Sequence, residues 1–348
     1  MVIRHPSSGR GQARRACSVV LLSLVAAGLL AACGSSSGSG GSGSTTIKVG
    51  LGGNIFDVPL RLAQEKGYFK QQGLNVQFVT LTAATGTPAL QSGSVQFLND
   101  SPTDFVTAAT KGTSELAVGV DSIGSPLGLI VSTKFAAAHH LTAATPAATV
   151  AKALIGSTAG ASAPTTKAEA GVMLRSYGVQ LSQMKWVTLP SPSADEAALK
   201  SNEIDWFVTS EPIPFEVQSG GSGVVVLGPQ KVPVWANSQT GIGTTLVTTK
   251  SYASGNASTV KKLVAAVQEA DQYVRGHEQQ ALPVASQSLP GVPSTVLLQS
   301  MKLVNWPAAV KMSPGEWSTS LGWINRQGLI GGLGSTLSTS DYTNKYVQ

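Results

Sequence analysis

Between residues 46 and 250, short apolar runs alternate with one-sided amphipathic ones. Residues 47–51, 76–81, 95–98 and 116–120 are compact runs bounded by glycine and polar clusters, the pattern of buried strands. Among them, Leu60, Leu62 and Ala63 give an apolar side to a helix that Asp57 can cap and Gly67 ends. Further helices are predicted near 88–91 and over 103–110. A second set of elements repeats this alternation, with a strand at 155–159, a helix ending at Gly178, a strand at 185–189, a helix over 194–200 and a strand at 205–208. Such alternation with short connections predicts a parallel sheet covered by helices on both faces. Residues 129–134 and 246–250 share a similar apolar-then-threonine pattern and are expected to be paired strands where the chain crosses between two lobes. The tail is predicted to be mostly helical, with amphipathic runs at 260–274 and 295–303.

The first forty-six residues follow a different pattern. Arg4, Arg10, Arg14 and Arg15 precede an uncharged apolar run from 17 to 32, which is short for a bilayer span. A basic segment followed by an apolar one of this length describes a secretory signal peptide, 1–32. It ends Leu30-Ala31-Ala32-Cys33, which resembles the lipobox of bacterial lipoproteins, in which the cysteine thiol carries the lipid. Cys33 is therefore the expected lipidation site, and the run of glycine and serine that follows, within 33–45, is a flexible tether. These features place the protein on the extracytoplasmic face of the cell membrane, lipid-anchored.

Composition narrows the function further. Removing the four leader arginines from the net charge of +6 leaves +2, and the remaining basic residues are scattered. A nucleic-acid partner is not expected. Charged residues make up 12% of the chain, about half the usual share. The only cysteines are Cys17 and Cys33, so the folded part has neither a disulfide framework nor a cysteine metal site. Beyond residue 33 the histidines are His139, His140 and His277, with no metal-binding spacing; the vicinal pair reads as a surface linker. No nucleophile elbow or P-loop occurs, and Gly52-Gly53 lacks dinucleotide-site spacing. No cofactor or metal is expected.

Four segments in order carry a resemblance. Glu65-Lys66-Gly67-Tyr68-Phe69 with Gly73-Leu74-Asn75-Val76, Ala89-Leu90-Gln91-Ser92-Gly93, Ala197-Ala198-Leu199-Lys200-Ser201-Asn202-Glu203-Ile204-Asp205, and Ser210-Glu211-Pro212 resemble the nitrate/sulfonate/taurine-type and thiamine-precursor-type substrate-binding proteins of ABC importers. The departures are Asn202 at a position where glycine is common, Ser94-Val95-Gln96 in place of an acidic residue, and Ser210 where tryptophan often stands. The resemblance implies the type II periplasmic-binding-protein fold, with two α/β lobes and a ligand cleft, a small-molecule solute, an ABC permease partner and, through it, an ATPase. Lobe 1 is expected to comprise 46–131 plus 241–348, and lobe 2 to comprise 132–240. A monomer is expected. The alternatives are an enzyme on the same fold, of thiamine-precursor or menaquinone-pathway type, or a surface lipoprotein without a transport role.

In open α/β sheets ligands bind beyond the carboxyl ends of the strands. Here those loops fall at 52–57, 81–86, 99–104, 160–166 and 210–215. Their side chains nominate Asn54, Phe56, Asp57, Thr85, Asp100, Ser101, Ser162, Thr165 and Glu211 as ligand-binding residues, with Asp104 beside them. Asp57 and Asp104 can equally serve as helix caps, and Glu211-Pro212 as a hinge turn. The loops hold no arginine, and Lys167 lies just beyond them, which favours a neutral or cationic solute over an anion. Helix N-termini can nonetheless bind small anions unaided.

Cleavage before Cys33 and modification of its thiol can be checked directly. Cys33→Ser is expected to release the protein from membranes or leave it unprocessed. Mass spectrometry of membrane-extracted mature chain showing a free Cys33 thiol would contradict the anchor.

Overall fold

The computed structural model describes residues 44–331 and 340–348. The leader, Cys33 and the tether up to residue 43 lie outside the described residues.

Among the described residues, ten strands form two sheets. The first half supplies β1 (Thr45–Leu51), β2 (Leu74–Thr80), β3 (Phe97–Asp100) and β4 (Glu115–Ile123). The middle supplies β5 (Leu127–Ser132), β6 (Thr158–Ala161), β7 (Lys185–Thr188), β8 (Trp206–Ser210) and β9 (Gly223–Leu227), and β10 (Ile242–Thr249) follows. One sheet runs β2-β1-β3-β10-β4 and the other β7-β6-β8-β5-β9. The two orders are equivalent. In each sheet the fourth strand, β10 or β5, has just arrived from the other side and runs antiparallel to both neighbours. The sheets are therefore mixed rather than purely parallel.

Position in the sheet explains the sequence patterns. At the edge, β2 alternates buried Leu74 and Val76 with exposed Asn75 and Gln77. Inside its sheet, β5 is buried at every residue, as a strand covered on both faces must be. Helix Ala257–Val274 lays Val260, Leu263, Val264 and Val267 on the first sheet, against Val49, Phe97 and Leu246. In the second lobe Met173 and Leu174 of helix Pro164–Ser176 pack with Leu129, Trp206 and Val208. Turns fall where the chain permits positive φ: Gly67 at 76° and, in place of the usual glycine, Asn202 at 59°, a conformation that asparagine tolerates.

Several expectations need correction. Segment 127–131 belongs to the second sheet, so the first crossing lies at 124–126 rather than after residue 131. Segments 129–134 and 246–250 do not pair with each other, because each is interior to its own sheet. Strand β9 had no reading from the pattern, and residues 133–134, read as strand, begin the helix Thr133–Ala138. His139 follows that helix and stacks on Phe135 at 4.2 Å. Asp57 gives the helix Val58–Glu65 no side-chain cap.

The chain crosses between the lobes twice, at 124–126 and 228–241, and the two crossings are tied together. Gly124 N–H donates to Gly241 O at 2.7 Å. Both glycines have positive φ, 86° and 77°. A Cβ on Gly124 would overlap the Asn237 side chain, and one on Gly241 would meet the Ser320 backbone. Helix Pro314–Gln327 straps the same region. Ser320 Oγ accepts from Ile242 N at 2.9 Å, Arg326 O accepts from Arg175 Nη2 at 2.6 Å, and Trp323 enters the second core. Because that helix serves both lobes, the C-terminal segment is not confined to the first.

Gly124→Ala combines a disfavoured backbone conformation with a side-chain overlap. A loss of about 1–3 kcal/mol is expected from the backbone term alone, read as a lowered denaturant midpoint. A control Gly255→Ala, where a Cβ meets nothing within 4 Å, should not reproduce the loss. Equal effects would contradict the packing described for the crossing.

Candidate functional site

The loops at the carboxyl ends of the strands in both sheets open on one cavity of about 730 Å³. That size suits a small organic molecule. The first lobe contributes Gly52, Asn54 and Phe56 after β1, Thr82 to Ala84 after β2, and Asp100 to Asp104 after β3. The second contributes Ser162 to Thr166 with Glu169 after β6, Pro190 to Pro192 after β7, and Ser210. Ser125, Thr240, Thr244 and Trp323 close the wall nearest the crossings.

Loop 52–57 owes its shape to its own side chains. Asn54 Oδ1 accepts from Phe56 N at 3.0 Å, and Asp57 Oδ2 accepts from Gly53 N at 2.6 Å and Asn54 N at 3.1 Å. Asn99 Nδ2 then donates to Phe56 O at 3.1 Å and to Asp121 Oδ2 at 2.8 Å, fastening this loop to β3 and β4. Asp57 thus holds the loop from behind. Its carboxyl titrates above the usual carboxylate range because it is buried, a rise that the Asn54 and Gly53 N–H groups and Arg61 oppose.

The nominated residues divide accordingly. Asn54, Phe56, Asp100, Ser101, Ser162 and Thr165 lie on the cavity wall; Asp57, Thr85 and Glu211 do not. Phe56 is largely a core residue whose surface reaches the cavity. Thr85 is exposed and closes the first turn of helix Ala83–Gln91 with Thr82. Glu211 is buried behind the site, accepting from Phe215 N at 3.2 Å and Ser300 Oγ at 3.4 Å, beside a cis Glu211-Pro212 bond. Glu169 and Trp323 were not read from the sequence. For Glu169 the signal was present: it lies four residues after Thr165 on one helix, and so on the same face.

The electrostatics of the wall are one-sided. Among the described residues, the charged ones on it are Asp100, Asp104 and Glu169, and no lysine or arginine joins them. Burial raises the Asp100 carboxyl well above its ordinary range, with Asp104 and Glu115 adding to it. Burial likewise raises Asp104. Glu169 is pushed up to about 8 by burial, with Asp104 contributing across the cleft. Ser162 sits over Asp195, whose buried carboxyl rises to about 6. The nearest base in sequence, Lys167, points elsewhere and lies 4.8 Å over the Trp186 ring.

Two equivalent mixed sheets whose strand-end loops share one cavity define a two-lobed α/β protein. The chain belongs to the NMT1/THI5 like family, whose model matches residues 57–281. Among solved structures, a ligand-binding component of an ABC-type import system from Staphylococcus aureus, with zinc bound, superposes with a TM-score of 0.70 at 13% identity, over 87% of this chain and 98% of that one. The periplasmic nitrate-binding protein NrtA from Synechocystis gives 0.68 at 16% identity, over 87% of each chain. A Candida albicans gene product described as having the generic periplasmic binding protein fold gives 0.67 at 15% identity, over 87% of this chain and 97% of that one. No curated protein matches the sequence. The fold is therefore the periplasmic-binding-protein fold that the resemblance implied. No helix among the described residues is long and apolar enough to cross a membrane.

The buried carboxyls dictate how stability depends on pH. Glu211 is raised by burial from 4.5 to about 8. Between those values the folded chain retains a proton that the unfolded chain has released, so stability falls as pH rises through this window. Glu211→Gln removes one such group. The melting temperature of the variant is expected to fall less than that of the parent between about pH 5 and 8.5. Parallel profiles would contradict the burial of an ionisable group at this turn.

Proposed function

We propose that this protein is the extracytoplasmic receptor of an ABC importer. It captures a small organic solute between its lobes and delivers it to a membrane permease, whose ATPase partner acts on the other side. The observation that carries the reading is a cavity walled by strand-end loops of both sheets. A solute touching both walls stabilises the closed arrangement over the open one, and its binding free energy then drives closure. The two crossings joined at Gly124 and Gly241 are the natural axis for that motion. Family membership and the likeness to an import-system ligand-binding component support the same reading.

Binding, rather than catalysis, is the proposed role. The wall offers carboxyls, hydroxyls and the amides of Asn54 and Asn99, a set suited to holding a solute by hydrogen bonds. The proposed anchor is the lipid on Cys33. The tether behind it lets a monomer reach its permease while staying at the membrane surface.

Closure is measurable by small-angle X-ray scattering on the full chain. With a solute first identified by thermal shift and present at saturation, the radius of gyration is expected to decrease. An unchanged radius with the solute demonstrably bound would contradict a receptor that signals by closing.

A further inference from the structure

We infer that the solute of this cleft is a cation, an ammonium or guanidinium compound held between Asp100 and Asp104 of one lobe and Glu169 of the other. The inference rests on the receptor reading and adds the chemical class of the solute. It starts from the placement of charge. Three carboxylates from opposite walls share one cavity, and among the described residues no cationic side chain shares it with them. Asp104 and Asp100 retain local partners: Ser101 Oγ donates to Asp104 Oδ2 at 2.9 Å, and Ser101 N donates to Asp100 Oδ1 at 2.9 Å. Glu169 has no such partner: it is half-buried at the wall, and none of the described residues donates a hydrogen bond to its carboxylate. A half-buried carboxylate with no donor from the protein leaves its acceptor sites open to a ligand in the cavity.

The described basic groups near Glu169 are committed elsewhere. Lys167 lies over Trp186, Arg175 donates to Arg326 O, and Arg326 donates to Gln239 O at 2.5 Å. The charged group acting on Glu169 is Asp104, of the same sign. The countercharge is therefore not supplied by these side chains. A cation in the cavity would supply it, with Trp323 in the wall adding an aromatic surface that suits one.

The features that would favour an anion are weakened here. Of the helices whose N-termini line the cavity, those beginning at Pro102, Pro164 and Pro192 have proline at the first position, and the one beginning at Ala83 does not. Proline has no N–H to offer. In two of them the N-cap serine accepts the third-residue N–H, Ser101 from Asp104 N at 3.1 Å and Ser191 from Ala194 N at 3.2 Å. Asp104 additionally sets a negative charge against the first of these N-termini, opposing its positive end.

A proton-linked signature follows. Glu169 holds its proton to about 8, so a cation that binds its ionised form must expel that proton near neutral pH. The test is isothermal titration calorimetry on the full chain near neutral pH in two buffers of different ionisation enthalpy. The cationic probes are 1,4-diaminobutane, agmatine and choline; the anionic probes are nitrate and butanesulfonate. At least one cationic probe is expected to bind saturably and release protons. Its affinity should rise with pH and fall at least about tenfold in Glu169→Gln. That variant should melt no lower than the parent, because it removes a buried ionisable group, so the loss of affinity is not loss of fold. Asp104→Asn gives an independent second readout from the facing lobe. If every cationic probe fails to bind, or if a bound one takes up protons or is indifferent to both variants, the cation assignment is overturned. An anion that binds and compacts the chain while the cations are inert would overturn the assignment and leave the receptor reading standing. A cation that binds at these carboxylates without compaction would do the reverse.

Discussion

Neither sheet is complete without a strand from across the molecule. β10 must sit between β3 and β4, and β5 between β8 and β9, so the chain is compelled to cross twice. The crossings run close enough for Gly124 and Gly241 to bond directly, at positions where any side chain would collide. With the lobes joined there, the carboxyl ends of the parallel strands in both sheets open toward one space. The cavity follows from that topology, since the loops that follow these strands have nowhere else to converge.

What fills the cavity wall is a separate matter from what builds it. The network Asp57, Asn99, Asp121 fixes the loop positions from behind the surface. The surface itself carries acids on both sides with their pKa values raised by burial and by one another. Like charges brought together in a desolvated space disfavour ionisation until an opposite charge arrives. The same carboxyls that erode the stability of the empty protein as pH rises thus supply attraction for a cationic solute. A cost in the unliganded state becomes affinity in the liganded one, a trade that functional sites commonly make.

Much of the architecture was legible because strand and helix periods are local signals. Most first-half strands and the helices 102–110, 164–176 and 192–200 fall within a few residues of their patterns. Strand β9 escaped because Gly223 to Leu227 follows a glycine-rich turn that reads as loop. The lobe boundary was misread because β5 and β10 look alike in sequence, while their partners are set by long-range hydrogen bonds that no local pattern encodes. Asn54, Asp100, Ser101, Ser162 and Thr165 reached the cavity because strand-end loops are placed by the fold class. Thr85 and Glu211 come from stretches read as loops of the same kind, yet Thr85 sits in the first turn of a helix and faces solvent, and Glu211 turns toward Ser300. Side-chain direction within a loop is a tertiary outcome. Glu169 lies one helical turn beyond the end of its loop, outside the span that strand-end reasoning covers.

A crystal structure of the full chain grown with a saturating cationic probe tests the acid-walled interlobe cleft most directly. The probe is expected between the helices Pro102–Thr110 and Pro164–Ser176, with its charged nitrogen within hydrogen-bonding distance of Glu169 and of Asp100 or Asp104. A probe bound elsewhere, or held by one lobe alone with the three carboxylates facing water, would contradict it.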